Sequence, residues 1–435
     1  MQVPPRRPGA ARRAASWALL ALLLHSCSEA EPQAEEALAV GPWRAVLSSP
    51  GGPLTFGMEL AQEGSGDLRL TLVNGEERRD AGLVQRDGDA IAVEIPPYRS
   101  RLVAKVTDGG QGLEGRWDRD RGAGHEQLLA FAAVAGPGPD RGDLLSPEDA
   151  DALTGRWSVR FEDDEDLAVG VFEARADGTA RGTFLTTLGD YRYLDGRFDG
   201  SRLHLSCFDG AHAFLFSAAL EDETLRGDFW SRDSYHTTWT ATKDEGAALP
   251  DDFALTRWTG GEDALASLSF PDVDGTPRRL DDPAFAGDAR LLVVFGSWCP
   301  NCNDLSEYLV ELDARYEGLS ILGLAFEYGD DPAAQRAAVR DYLAHHGASY
   351  PALVCGTVNK EKASAALPIL DRVRAYPTTV FMDGQGRVSA VHTGFSGPAT
   401  GERHQRLRER FESEIESLLG RAGAGGTPSR EQGGR

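Results

Sequence analysis

Cysteine is scarce in this chain, five in 435 residues. So few cannot staple a fold, and the domains must be held by their cores. Positive charge is in deficit as well: 45 Lys and Arg against 68 Asp and Glu give a formal charge of −23. Without a basic stripe there is nothing to neutralise a phosphate backbone, which argues against a nucleic acid partner. Histidine is sparse, nine in all. His204, His212 and His236 fall in one stretch but show no ligand spacing, so no metal site is expected there. The length still allows two to four domains with sizeable cores.

What the chain does have begins with an address. Arg6, Arg7, Arg12 and Arg13 precede an apolar run over residues 14–24, too short to cross a bilayer and of the length of a secretory h-region. Leu24-His25-Ser26-Cys27 follows and resembles a bacterial lipobox, which implies lipidation at Cys27; cleavage of an ordinary signal peptide nearby is the alternative. Residues 1–27 are thus expected as a signal peptide, and 28–40, rich in Glu and Ala, as a tether.

Two stretches then repeat each other. Gly41-Pro-Trp43 returns as Gly155-Arg-Trp157, and Leu113-Glu-Gly115-Arg-Trp117 as Leu225-Arg-Gly227-Asp-Phe-Trp230. Between these anchors, short period-two runs alternate with Asn-Gly and Asp-Gly turns, the pattern of antiparallel meanders. Residues 41–136 and 155–243 are therefore expected to form two duplicated antiparallel β barrels or sandwiches, joined by a linker ending near Pro147. Tyr191, Tyr193, Phe208, Phe214 and Phe216 could line a barrel mouth, but alternating aromatics are more often core.

After a linker over 244–261 the pattern changes. Five apolar residues, Leu291-Leu-Val-Val-Phe295, read as a buried parallel strand; Leu305, Leu309, Leu312 and Tyr316 then recur at helical spacing. Trp298-Cys299-Pro300-Asn301-Cys302 lies where strand hands over to helix. A thiol at a helix N-terminus ionises more readily than the free value of about 8.5, down to about 7 or below in such pairs. Cys299 is expected as an exposed thiolate, with Cys302 one turn further in and able to bond to it. Half of a zinc site and a structural disulfide are the competing readings, but zinc needs a second ligand pair that is absent. Cys207 and Cys355 lie in apolar runs and read as buried free thiols.

The run around Cys299 resembles the active site of the thioredoxin superfamily, in particular its exported TlpA/ResA-like reductases. Ala375-Tyr376-Pro377-Thr378-Thr379 resembles that family's cis-proline loop. The resemblance covers residues 262–420 and implies an α/β thioredoxin-like domain, no cofactor, and a cis peptide before Pro377. It also implies a disulfide-containing protein substrate lying against Tyr376 and Pro377, with Trp298 shielding the site. Glu327 follows the second parallel strand, where strand ends face a crevice, and matches the family's proton-moving glutamate beside the cysteines. A membrane thiol-transferring partner would supply electrons at the periplasmic side of a bacterial envelope, and residues 421–435 read as a disordered tail. The competing functions are a peroxidase, which lacks its Thr and Pro here, a copper carrier, whose pair is spaced one residue wider, and a ligand- or partner-binding lipoprotein working through its β repeats.

Overall fold

The computed structural model describes residues 37–96, 98–120, 126–137, 144–261 and 263–424, with side chains to residue 420. Cys27, the signal region and most of the tether lie outside the described residues. Leu38, at the end of the expected tether, is buried in the first β core, and the Ala39 amide donates to the Gly110 carbonyl at 3.0 Å. The last residues before the first strand therefore belong to the folded body.

The first repeat folds as a nine-stranded antiparallel sheet running from the edge strand Glu77–Leu83 through Gly41–Ser49 to Gln85–Asp87. The second is an eight-stranded closed barrel, sealed where Gly155–Phe161 pairs with Tyr235–Lys243. Alternation is clearest in the first repeat: along Glu126–Ala135, Gln127, Leu129, Phe131 and Ala133 point in and their neighbours out, whereas barrel strands such as Ala213–Glu221 bury consecutive residues. The duplication has a physical signature. Trp43 and Trp157 are both fully buried, and each indole N–H donates at 2.9 Å to the carbonyl four residues earlier, Ala39 and Leu153.

One anchor pairing changes. Gly115 and Gly227 are equivalent, since an added Cβ would meet the facing Val103 carbonyl oxygen at 2.0 Å and the Ser217 carbonyl oxygen at 1.8 Å. Two residues on, Trp117 therefore corresponds to Phe229 and not to Trp230. Trp230 is one residue out of phase, points to the opposite sheet face, and lies against Gly51 of the first repeat.

The two β cores are continuous. Phe208, in the second repeat, packs among Phe56 and Trp117 of the first, with ring centroids at 4.7 and 5.5 Å. Asn74 clasps it, its side-chain amide accepting from the Phe208 N–H at 2.9 Å and donating to the carbonyl at 3.0 Å. Pro147, expected at the end of a linker, opens a short helix, Pro147–Leu153, capped by Ser146.

The third part is a five-stranded sheet in the order Ala352–Thr357, Leu319–Glu327, Ala289–Phe295, Thr378–Asp383, Val388–Thr393. The first three are parallel and the last two antiparallel. Every residue of the central strand Ala289–Phe295 is buried. Pro300–Arg315 follows as a helix because Pro300 fits the first turn and Leu305, Leu309 and Leu312 share its buried face. Pro332–His346 is capped by Asp331 and stopped by Gly347 at φ 61°. Cys355, read in an apolar run, lies in the strand Ala352–Thr357, whereas the helix Lys360–Ala366 escaped the sequence reading because it is too short to establish a period. The closing helix runs Glu402–Ala424, past residue 420 where a tail was expected. Nor is 244–261 a loose connector: the Thr259 amide donates to the Ile369 carbonyl at 2.8 Å, and Asp252 holds Arg403 at 2.9 Å. The described residues thus form a mostly antiparallel β structure with one α/β part built on a mixed five-stranded sheet.

Candidate active site

Cys299 is the N-cap of the helix Pro300–Arg315, and its carbonyl receives the amides of Cys302 and Asn303 at 3.1 Å each. Both thiols are free. Burial, together with the bond to Cys299 and its charge, pushes the Cys302 thiol well above its ordinary value. Two supports behind the pair fix the turn. Asn303, fully buried, donates to the Cys299 carbonyl at 2.9 Å, and the Tyr342 hydroxyl donates to the Cys302 carbonyl at 2.7 Å.

The peptide between Tyr376 and Pro377 is cis, and the Cys299 thiol donates to the Tyr376 carbonyl at 3.3 Å. The Trp298 indole donates to the Phe326 carbonyl at 2.9 Å, and its ring meets Tyr376 edge-on at 5.5 Å. Trp298, Cys299, Cys302, Tyr376 and Pro377 are thus gathered at one end of the sheet, and Glu327 ends the neighbouring strand.

Glu327 is buried, 3% exposed, and accepts from the Ser297 amide at 2.8 Å and hydroxyl at 2.7 Å. Burial pushes its carboxyl up to about 7, against the two Ser297 bonds, which favour the ionised form. Beside it is a pocket of about 30 Å³, lined by Arg99 and Arg119 of the first β sheet and by Gln335. Ser297 was missed because nothing in a Gly-Ser pair after a strand distinguishes a carboxylate holder from a turn residue.

Cys299 is only 6% exposed, where an open thiolate was expected. The second barrel covers it. The Leu188–Gly189 corner presses so closely on Asn301 that a Cβ on Gly189 would lie 1.9 Å from the Asn301 amide nitrogen. The next residue, Asp190, accepts the Gly397 amide at 2.6 Å. A cleft of about 400 Å³ remains between barrel mouth and cysteine. Tyr191 and Phe214 line it, with Phe229 and Tyr235, while Phe216 lies in the barrel core and the Phe208 ring is buried in the core of the first repeat. His212 reaches the cleft but is tied to Asp209 at 3.1 Å. Among the described residues no three His, Cys, Asp or Glu side chains are grouped to hold a metal.

A buried charge cluster joins all three parts. Asp304, two residues after Cys302, receives Arg79 of the first sheet at 2.9 Å and Arg192 of the barrel segment at 2.7 Å; Arg192 also pairs with Glu77 and, at 3.0 Å, with Asp209. Burial alone would raise the Asp304 carboxyl, but Arg192 and Arg79 outweigh it and hold it below the usual range. Arg119 adds a second tie, donating to the carbonyls of Tyr98, Ala211 and Trp298 at 3.2, 3.0 and 3.0 Å.

No family model and no curated protein matches the chain. Solved structures do. A thioredoxin-like protein from Aeropyrum pernix is 22% identical, with 35% of this chain and 89% of that one covered and a TM-score of 0.27. A thiol:disulfide interchange protein of the thioredoxin family from Chlorobium tepidum is 22% identical over 35% and 92%, TM-score 0.26. A secreted thiol-disulfide isomerase from Corynebacterium glutamicum is 18% identical over 40% and 96%, TM-score 0.27. These likenesses concern a minor part of the chain, and the chemistry of the site rests on its own geometry.

Proposed function

We propose that this chain is an exported thiol-disulfide oxidoreductase that reduces disulfides of proteins outside the cytoplasm. The observation that carries the reading is the grouping of two free thiols at a helix start, a cis-proline loop against the first, and a buried carboxyl ionising near pH 7 on the adjacent strand. Cys299, as its thiolate, attacks one sulfur of the substrate disulfide. That S–S bond breaks, a Cys299–substrate disulfide forms, and the second substrate sulfur leaves as a thiolate. Cys302 then gives its proton to the Glu327 carboxylate and attacks Cys299, the Cys299–substrate bond breaks, and the first substrate sulfur leaves as a thiolate that takes a proton. The chain ends as a Cys299–Cys302 disulfide, two electrons poorer, and the substrate as two thiols. Tyr376 and Pro377 offer the substrate an extended edge, and Trp298 closes one side. For further turnovers an external dithiol must reduce the pair, and a thiol-transferring membrane protein fits that role. The reducing direction is supported by Pro300-Asn301 between the cysteines, with no histidine to favour the thiolate strongly. Export is supported by the leader-like residues before Cys27.

The test is a trap. Cys302→Ser cannot resolve, so in cells it should accumulate a mixed disulfide with its substrate, recovered from the envelope fraction and released by dithiothreitol. Cys299→Ser should give no adduct and no disulfide reduction in vitro. An adduct that survives Cys299→Ser would overturn the assignment.

A further inference from the structure

The covered cysteine asks for a substrate that fits under the cover. We infer that the mouth of the second barrel is the specificity pocket of this site, and that it takes a disulfide carried on an unfolded, extended chain with a large aromatic side chain beside the substrate cysteine. The inference rests on the exchange reaction above and specifies what that reaction acts on.

Three observations lead there. Cys299 is 6% exposed, with the 188–189 corner on Asn301 to one side and the ring of Tyr376 to the other, so the flat surface of a folded protein cannot bring a disulfide into line with it. What remains is a cleft of about 400 Å³, within the range of pockets that enclose a small ligand or one or two side chains. Both partners contribute aromatic rings to its lining, Tyr191, Phe214, Phe229 and Tyr235 from the barrel and Trp298 and Tyr376 from beside the cysteine, with the charged Asp164, Asp190, Arg232 and Lys360 among them. The barrel rings are arranged edge to face, Phe214 to Phe229 at 5.4 Å and Phe229 to Tyr235 at 5.7 Å. Tyr235 is 40% exposed at the rim, its hydroxyl donating to Asp163. An extended chain lying along Tyr376 and Pro377 with its cysteine over Cys299 would place the adjoining side chain at these rings. The electron balance is that of the exchange: the peptide disulfide is the oxidant and is reduced to two thiols, and Cys299 and Cys302 become the disulfide.

The experiment uses the reduced full-length chain in single-turnover assays with four probes. They are an unstructured peptide disulfide with Phe beside each cysteine, the same peptide with Gly there, a small folded protein with a surface disulfide, and bis(2-hydroxyethyl) disulfide. The expected result is a second-order rate about tenfold higher for the Phe than for the Gly peptide, the size of a good aromatic contact, and the folded protein slowest of the four. Tyr235→Ala and Leu188→Ser, both at exposed positions, should bring the Phe-to-Gly ratio toward one, and Tyr235→Phe should keep it. A ratio of one in the native chain, a ratio untouched by both variants, or a folded protein reduced as fast as the Phe peptide would each overturn the pocket. If the peptides and bis(2-hydroxyethyl) disulfide all fail to react, the exchange reaction itself is wrong and the pocket falls with it.

Discussion

Glu327 is a carboxyl whose surroundings serve two states at once. Burial favours the neutral form, and two donors from Ser297 favour the ion. The outcome, a value of about 7 against the ordinary 4.5, has a sign for stability. Between those values the folded chain keeps a proton that the unfolded chain has lost, so stability falls as pH rises through the window, by on the order of 3 kcal/mol in all. Glu327→Gln imitates the neutral form. It should leave the melting temperature near that of the native chain at pH 5 and raise it at pH 8, read by thermal denaturation at both. The same variant removes the group that takes the Cys302 proton. Resolution of the mixed disulfide should slow by about a hundredfold, and its pH step near 7 should vanish. A rate within a factor of two of native would remove Glu327 from the mechanism.

The active-site helix is held from outside its own domain. Glu77–Leu83 is an edge strand of the first sheet, and edge strands invite aggregation unless charged or covered. Here Glu77 and Arg79 supply the charge, and Asp304 on the helix provides part of the cover. Removing one member strands the others: Asp304→Ala leaves Arg79 and Arg192 buried and short of a partner, a loss of about 3–5 kcal/mol. Urea denaturation should show the transition at lower denaturant. A midpoint unchanged from native would mean that the cluster contributes nothing to docking. Because Asp304 lies two residues from Cys302, the same variant should also loosen the start of the helix.

At the scale of the whole molecule, the β repeats form part of the site. The barrel covers Cys299, the sheet lines the pocket beside Glu327, and Arg119 reaches from the sheet to both the barrel and the Trp298 carbonyl. A cover of this kind sorts reagents by size. Iodoacetamide should alkylate Cys299 in the reduced native chain at least about tenfold faster, relative to a free thiol, than a maleimide carrying a large polymer, since buried thiols react in proportion to access. Mass spectrometry with Cys299→Ser as control reads the site of modification. Equal relative rates would mean that the barrel does not stay over the cysteine in solution.

Local chemistry was legible in the chain itself. The Tyr376-Pro377 loop and the part played by Glu327 were implied by resemblance to a known family, whereas a buried apolar run breaking into Trp298-Cys299-Pro300-Asn301-Cys302 and period-two strands between Asn-Gly and Asp-Gly turns are short-range patterns. Sheet pleat and helix pitch impose such patterns directly on sequence. Even there a one-residue error survived, Trp230 for Phe229, because composition does not mark which face a strand residue takes. What the tertiary structure alone decided is the cover. Arg192 meets Asp304 across 112 residues of chain, and Gly189 meets Asn301 from another part of the molecule. Contacts of that kind leave no periodicity, since they depend on where whole sheets come to rest once their cores have closed.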